Sequence, residues 1–121
     1  MNKKYNLEDR LVVFAGEIIH FTSTIKKDFA GNHLTNQLIR SGTSPLFNYA
    51  ESQAAESRKD FIHKNKIALK ELKESRVNLQ VLKYVNYGDS SKRLIILQEC
   101  QELIAILSTI ISNAIKNGEA K

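Results

Sequence analysis

The 121-residue chain has no tryptophan, one proline and one cysteine, and each shortage closes off a class of protein. A single thiol, Cys100, set among apolar residues, allows no disulfide framework and no CxxC metal pair. It reads as a small core side chain in a reducing, cytoplasmic setting. His20, His33 and His63 are scattered without an HxxxH or ExxH spacing. There is no glycine-rich phosphate loop and no nucleophile elbow, so no metal, no cofactor and no enzyme activity is expected. The basic start MNKKYNLEDR leads into no uninterrupted apolar run, and no stretch approaches the roughly 20 apolar residues of a membrane span. A soluble, unexported protein without membrane contact is the expectation.

What is present is helical periodicity. With 42% hydrophobic residues the chain can bury one core and is too short for two, so residues 1–121 are expected to form a single domain. Leu7, Leu11, Phe14, Ile18, Phe21 and Ile25 alternate steps of four and three, the seam of a helix packed nearly parallel to its neighbours. Asn6 is the expected N-cap, and the helix is placed at about 7–27, ending on Lys26 and Lys27 with Gly31 as separator. A second helix is expected at about 32–55, one kinked helix rather than two, because Pro45 removes a backbone donor there. Ser57 with Asp60 resembles a capping box and opens a helix of about 58–86. Its seam is Phe61, Asn65, Ala68, Leu72, Ser75, Leu79 and Leu82, whose small and polar members imply close approach or a hydrogen bond across it. Ser90 is the expected cap of a fourth helix at about 91–117, with GEAK as a frayed tail. Four amphipathic segments with short connections predict an all-α, antiparallel up-and-down four-helix bundle.

The stretch from Arg40 to Ser75 is more polar than a helical core requires. Arg40, Ser41, Thr43, Asn48, Glu51, Asp60, Lys64, Lys70, Glu71 and Glu74 crowd two segments that must pack together. They are expected to form a structural polar network in which Arg40 or Lys70 pairs with Glu51, Glu71 or Glu74, and Asp60 with Lys64 at i,i+4. Lys59, His63, Lys66, Lys70 and Lys73 fall on one line opposite the seam, a spacing that suits a phosphate backbone or a merely solvated face. Val77, Val81 and Tyr84 continue that line with apolar residues, and Ile95 and Ile106 widen the apolar side of the fourth helix. These five are the expected oligomer interface.

RSGTS, then Asn48, Glu51 and SQAAES, then DFIHK, IALKE and the Glu74–Ser75 pair resemble the bacterial four-helix-bundle family encoded in intervening sequences of 23S ribosomal RNA genes. The chain is also similar to the accessory variability determinant of diversity-generating retroelements, a bundle that forms pentamers and binds a reverse transcriptase and nucleic acid. The family's arginine, serine and threonine match Arg40, Ser41 and Thr43, its asparagine and glutamate match Asn48 and Glu51, and its lysine and glutamate match Lys70 and Glu71. Pro45, Leu46 and Phe47 stand where relatives often have a small IGA-like run, and Val77 and Asn78 where many have Tyr and Trp. The resemblance implies a homo-oligomer, with five subunits favoured. The first reading of function is a non-enzymatic homo-oligomeric module that binds RNA or DNA through the lysine line; the alternative is a scaffold or accessory subunit that binds a protein partner without touching nucleic acid.

Overall fold

The structure, a computed structural model, describes residues 6–119 and contains four helices and no strand among them. They are α1 (Leu7–Thr22), α2 (Phe29–Gln53), α3 (Arg58–Val85) and α4 (Ser90–Glu119). Each helix packs on its neighbours in the chain and α4 closes against α1, giving the antiparallel up-and-down bundle. The α1–α2 and α3–α4 connections meet at one end, where Tyr87 Oη donates to Asp28 Oδ2 at 2.6 Å and the Asp89 N–H donates to Thr24 Oγ1 at 2.9 Å.

The core is the expected seam brought together. Leu11, Phe14, Ile18 and Phe21 of α1 meet Leu38 of α2, Leu72, Leu79 and Leu82 of α3, and Ile96, Cys100, Leu103 and Leu107 of α4. Cys100 is fully buried, and its Sγ donates to the Leu72 carbonyl at 3.2 Å. An 18-residue window of α4 reaches a mean hydropathy of 1.7, long and apolar enough to cross a membrane by length and composition. This corrects the expectation that no segment approaches such a span; here the seam of α4 lies in the bundle core.

Helix ends depart from the sequence expectations for identifiable reasons. Asn6 caps α1 as expected, accepting from the Asp9 N–H at 2.7 Å. Yet α1 ends at Thr22, short of Lys26 and Lys27, because three successive hydroxyls turn back on the last carbonyls. Thr22, Ser23 and Thr24 donate to the oxygens of Ile19, His20 and Phe21, each at 2.7 Å. The carbonyls a further turn would have used are thereby satisfied. Ile25 stays in the core although it lies in the turn.

Asp28 is the N-cap of α2, so Gly31 lies inside its first turn rather than separating helices, and its N–H donates to Asp28 Oδ1 at 2.7 Å. A Cβ on Gly31 would overlap the Lys26 carbonyl oxygen, and one on Gly42 would overlap Ile18 Cδ1. The first glycine permits the tight turn and the second the close approach of α1 to α2. Pro45 is buried inside α2, which runs through it as one helix.

Ser57 caps α3, accepting from the Asp60 N–H at 3.0 Å, and Asn86 ends it in the left-handed region at φ 57°. Asp89 rather than Ser90 caps α4, because its carboxylate gathers two donors, the Lys92 N–H and the Ser91 hydroxyl, each at 2.9 Å. α4 continues through Gly118 to Glu119, and the rest of the expected GEAK tail lies outside the described residues.

Candidate interaction surface on α2 and α3

α2 has little apolar material to offer α3. Apart from Leu38 its buried residues are Gly31, Ser41, Gly42, Pro45 and Ser52. Small side chains let the two backbones approach, and polar groups must then be satisfied across the seam. Ser41 Oγ and Ser75 Oγ share a hydrogen bond at 2.8 Å, both buried, and Asn78 Nδ2 donates to the Leu34 carbonyl at 3.1 Å. Asn65 bonds instead within its own helix, Nδ2 to the Phe61 carbonyl at 2.9 Å.

The charged residues of the segment pair selectively. Arg40 reaches from α2 to two carboxylates one turn apart on α3, Nη1 to Glu71 at 2.9 Å and Nη2 to Glu74 at 2.6 Å. The hydrogen bonds that Arg40 donates, to Glu74 first and Glu71 second, hold this guanidinium above its usual pKa. Lys64 pairs with Glu51 at 2.7 Å across the two helices, and that contact raises its ammonium pKa. Asp60 is therefore not the ion-pair partner of Lys64, as i,i+4 spacing had suggested.

Thr43 and Asn48 also stand apart from the network. Thr43 Oγ1 donates back to the Ile39 carbonyl at 2.8 Å, and Asn48 Nδ2 donates to Ser44 at 3.0 Å, both within α2. Lys70 belongs to the outer line alone, exposed and in ion-pair contact with no carboxylate among the described residues.

One polar group was not foreseen. Arg10 of α1 donates to Glu99 of α4 through Nε at 3.0 Å and Nη2 at 2.7 Å, and to Glu102 at 3.0 Å. Glu99 and Glu102 stand three apart as helix neighbours do, but nothing in their spacing says that α4 lies against α1 at that level. Likewise Tyr87 read only as a turn residue, whereas its hydroxyl and the Gly31 N–H hold the Asp28 carboxyl below the usual range.

Lys59, His63, Lys66, Lys70 and Lys73 are all exposed along α3. Lys66, Lys70 and Lys73 border a groove of about 750 Å³ lined also by Leu34, Leu69, Val77 and Val81. Its exposed lining is mostly apolar, and Asn78 in its wall has a buried Oδ1 with no donor. Val77, Val81, Tyr84 and Ile95 are 51%, 42%, 91% and 65% exposed, whereas Ile106 is half-buried and contributes less to any outer face. Leu94, at 53%, is exposed beside Ile95 and lies off the helical line of the core seam, so that line gave no signal for it.

No group of three or more His, Cys, Asp or Glu side chains suited to a metal ion occurs among the described residues. Glu71 and Glu74 share one guanidinium, so neither is placed as a free acid or base. Such a site defines a helical bundle whose polar residues join helices and whose outer α3 face offers cations over an apolar floor.

The chain belongs to the 23S rRNA-intervening sequence protein family, whose family model matches residues 3–109. A crystal structure of a protein of unknown function from the S23 ribosomal protein family of Bacteroides thetaiotaomicron VPI-5482 is similar to it at 32% identity and a TM-score of 0.80. That likeness covers 88% of this chain and 98% of the other. No curated protein matches the chain.

Proposed function

We propose that this chain is a non-enzymatic, homo-oligomeric helical module of the cytoplasm whose working surface is the α2–α3 groove. The groove receives a protein helix that carries carboxylates beside an apolar stripe. The observation behind this reading is that Lys66, Lys70 and Lys73 border the same groove as Leu34, Leu69, Val77 and Val81. A phosphate backbone has no use for an apolar floor, whereas an amphipathic helix buries its apolar side there and meets the lysines with its acidic flank. A photo-reactive amino acid in place of Val77 tests the class of occupant in cells. Protease-sensitive adducts support the reading, and nuclease-sensitive adducts overturn it.

A second reading, contact with RNA or DNA, is favoured by a different observation. Lys59, Lys66, Lys70 and Lys73 are exposed and in ion-pair contact with no carboxylate among the described residues, because Arg40 and Lys64 hold Glu71, Glu74 and Glu51. Four phosphate contacts per subunit give a log–log salt slope of roughly −3 to −4 on duplex DNA. Changing the four lysines to Glu then abolishes binding if this reading holds.

A further inference from the structure

The end of the bundle where the α1–α2 and α3–α4 connections meet combines two nearly bare aromatic rings with a local excess of cations. We propose that this end docks on the anionic face of a lipid bilayer, with Phe29 and Tyr84 entering the interface and the lysines around them meeting lipid phosphates. The contact is separate from the α2–α3 groove and holds whatever helix the groove receives.

Phe29 is 90% and Tyr84 91% exposed, so neither ring packs on the bundle. The hydrogen bond from Asn78 to the Leu34 carbonyl fixes the register of α3 on α2, and five residues further toward this end Phe29 comes level with Lys83 and Tyr84. Val85, 44% exposed, is the last residue of α3. Side chains exposed to this degree project from the surface and line no cleft. A protein partner has to supply a pocket for each ring, whereas a bilayer takes up protruding aromatic side chains at the level of its headgroups.

Charge at this end favours an anionic surface. Within residues 23–29 and 83–92 the cations are Lys26, Lys27, Lys83 and Lys92, all exposed, and the carboxylates are Asp28 and Asp89. Both carboxylates are engaged at helix N-termini: Asp28 accepts from the Gly31 N–H and the Tyr87 hydroxyl, and Asp89 from the Lys92 N–H and the Ser91 hydroxyl. The helix dipoles offset part of their charge. Of the four lysines only Lys26 has an ion-pair partner among the described residues, Asp28 at 3.8 Å. The next carboxylate, Glu17, lies about 8 Å back along α1 from Thr22. The sequence expectation of no membrane contact concerned a spanning segment; a surface contact needs only a few apolar side chains inside a basic ring.

Vesicle binding tests the assignment, and the absence of tryptophan from the chain makes a single introduced indole a clean reporter. Vesicles of phosphatidylcholine mixed with phosphatidylglycerol are expected to sediment the parent, and vesicles of phosphatidylcholine alone to leave it in solution. Lys27→Ala and Lys83→Ala are each expected to lower the partition about fivefold. Phe29→Trp is expected to shift its emission to the blue with the anionic vesicles. Phe47→Trp, at a position also exposed but about 27 Å further along α2, is expected not to move. Because both phenylalanines and Tyr84 are exposed, the circular dichroism of each variant is expected to match that of the parent. An unmoved indole at position 29, or equal shifts at 29 and 47, overturns the end-on contact. Parent-like binding by a variant carrying Phe29→Ser and Tyr84→Ser shows adsorption by net charge alone and overturns it too. A blue shift at position 29 of the same size with soluble poly-glutamate assigns the patch to an acidic protein and overturns the lipid surface.

Discussion

Replacing Arg40 with Met is the sharpest probe of the α2–α3 interface, because one guanidinium neutralises two carboxylates of unequal burial. The Glu71 side chain is only 11% exposed, while Glu74 is 42% and Arg40 51% exposed. Removing one partner of a fully buried pair costs about 3–5 kcal/mol, and breaking a surface pair costs about 0–1 kcal/mol. Glu71 lies nearer the first case, but water reaches the guanidinium, so the expected loss is about 2 kcal/mol, screened in part by solvent. For a domain of this size that lowers Tm by roughly 8 °C. Urea titration followed by circular dichroism measures it, provided the slope with denaturant is unchanged. The reasoning further requires partial rescue: adding Glu71→Gln to Arg40→Met removes the stranded charge and is expected to recover about 1 kcal/mol. A single variant as stable as the parent, or a double variant no better than the single, refutes the account of Arg40 as the clamp of this interface.

Glu51→Ala is expected to cost less than about 1 kcal/mol, because its ion pair with Lys64 has a Glu51 side chain 60% exposed. The larger loss that crowding in the sequence suggests is not expected, and a Tm shift as large as that of Arg40→Met would contradict this ranking. Tyr87→Phe removes the principal cause of the low Asp28 pKa, so the carboxyl resonance is expected to titrate at higher pH than in the parent. A depressed folded pKa gives stability that is present above the unfolded value and lost as pH falls through the folded one. Acid unfolding of Tyr87→Phe should therefore begin at higher pH, and an unmoved carbon-13 titration of Asp28 would refute the clasp. Burial pushes the Cys100 thiol up to about 12, so Ellman's reagent at pH 8 is expected to label it only through unfolding. The sign is opposite to that of Asp28, since this stabilisation is intact below the thiol's unfolded pKa and lost as pH rises toward the folded value. Labelling of the native protein at a free-thiol rate would refute the burial.

Apolar spacing carried most of the fold because burial acts on every residue of a seam. Leu11, Phe14 and Ile18, or Leu72, Leu79 and Leu82, each repeat the same instruction. Helix ends depend on single side chains that compete locally, and there the sequence was less explicit. Asp89 and Ser90 are adjacent good caps, and the carboxylate prevailed by reaching two donors. The run Thr22, Ser23, Thr24 held the information for the end of α1, but as back-bonding to carbonyls rather than as a charge preference. In the candidate site the crowding of polar residues was legible, and so was the pairing of Arg40 with Glu71 and Glu74, whereas the pairing of Lys64 with Glu51 and the exclusion of Lys70 were not. Lys70 and Glu74 stand at i,i+4, yet the planar fork of Arg40 holds Glu71 and Glu74 together, which a single ammonium on α3 does not.

That choice of partners links the interior of the bundle to its surface. The α2–α3 seam uses small residues, and the close approach brings Arg40 over Glu71 and Glu74 and Glu51 beside Lys64. Each cross-helix pair removes a carboxylate from those available to the outer lysines, which remain exposed above Val77 and Val81. A bundle stitched by apolar residues alone would have left Glu71 and Glu74 free to neutralise the neighbouring lysines along α3. The same stitching that sets the register of α2 on α3 therefore leaves a cationic rim on the groove.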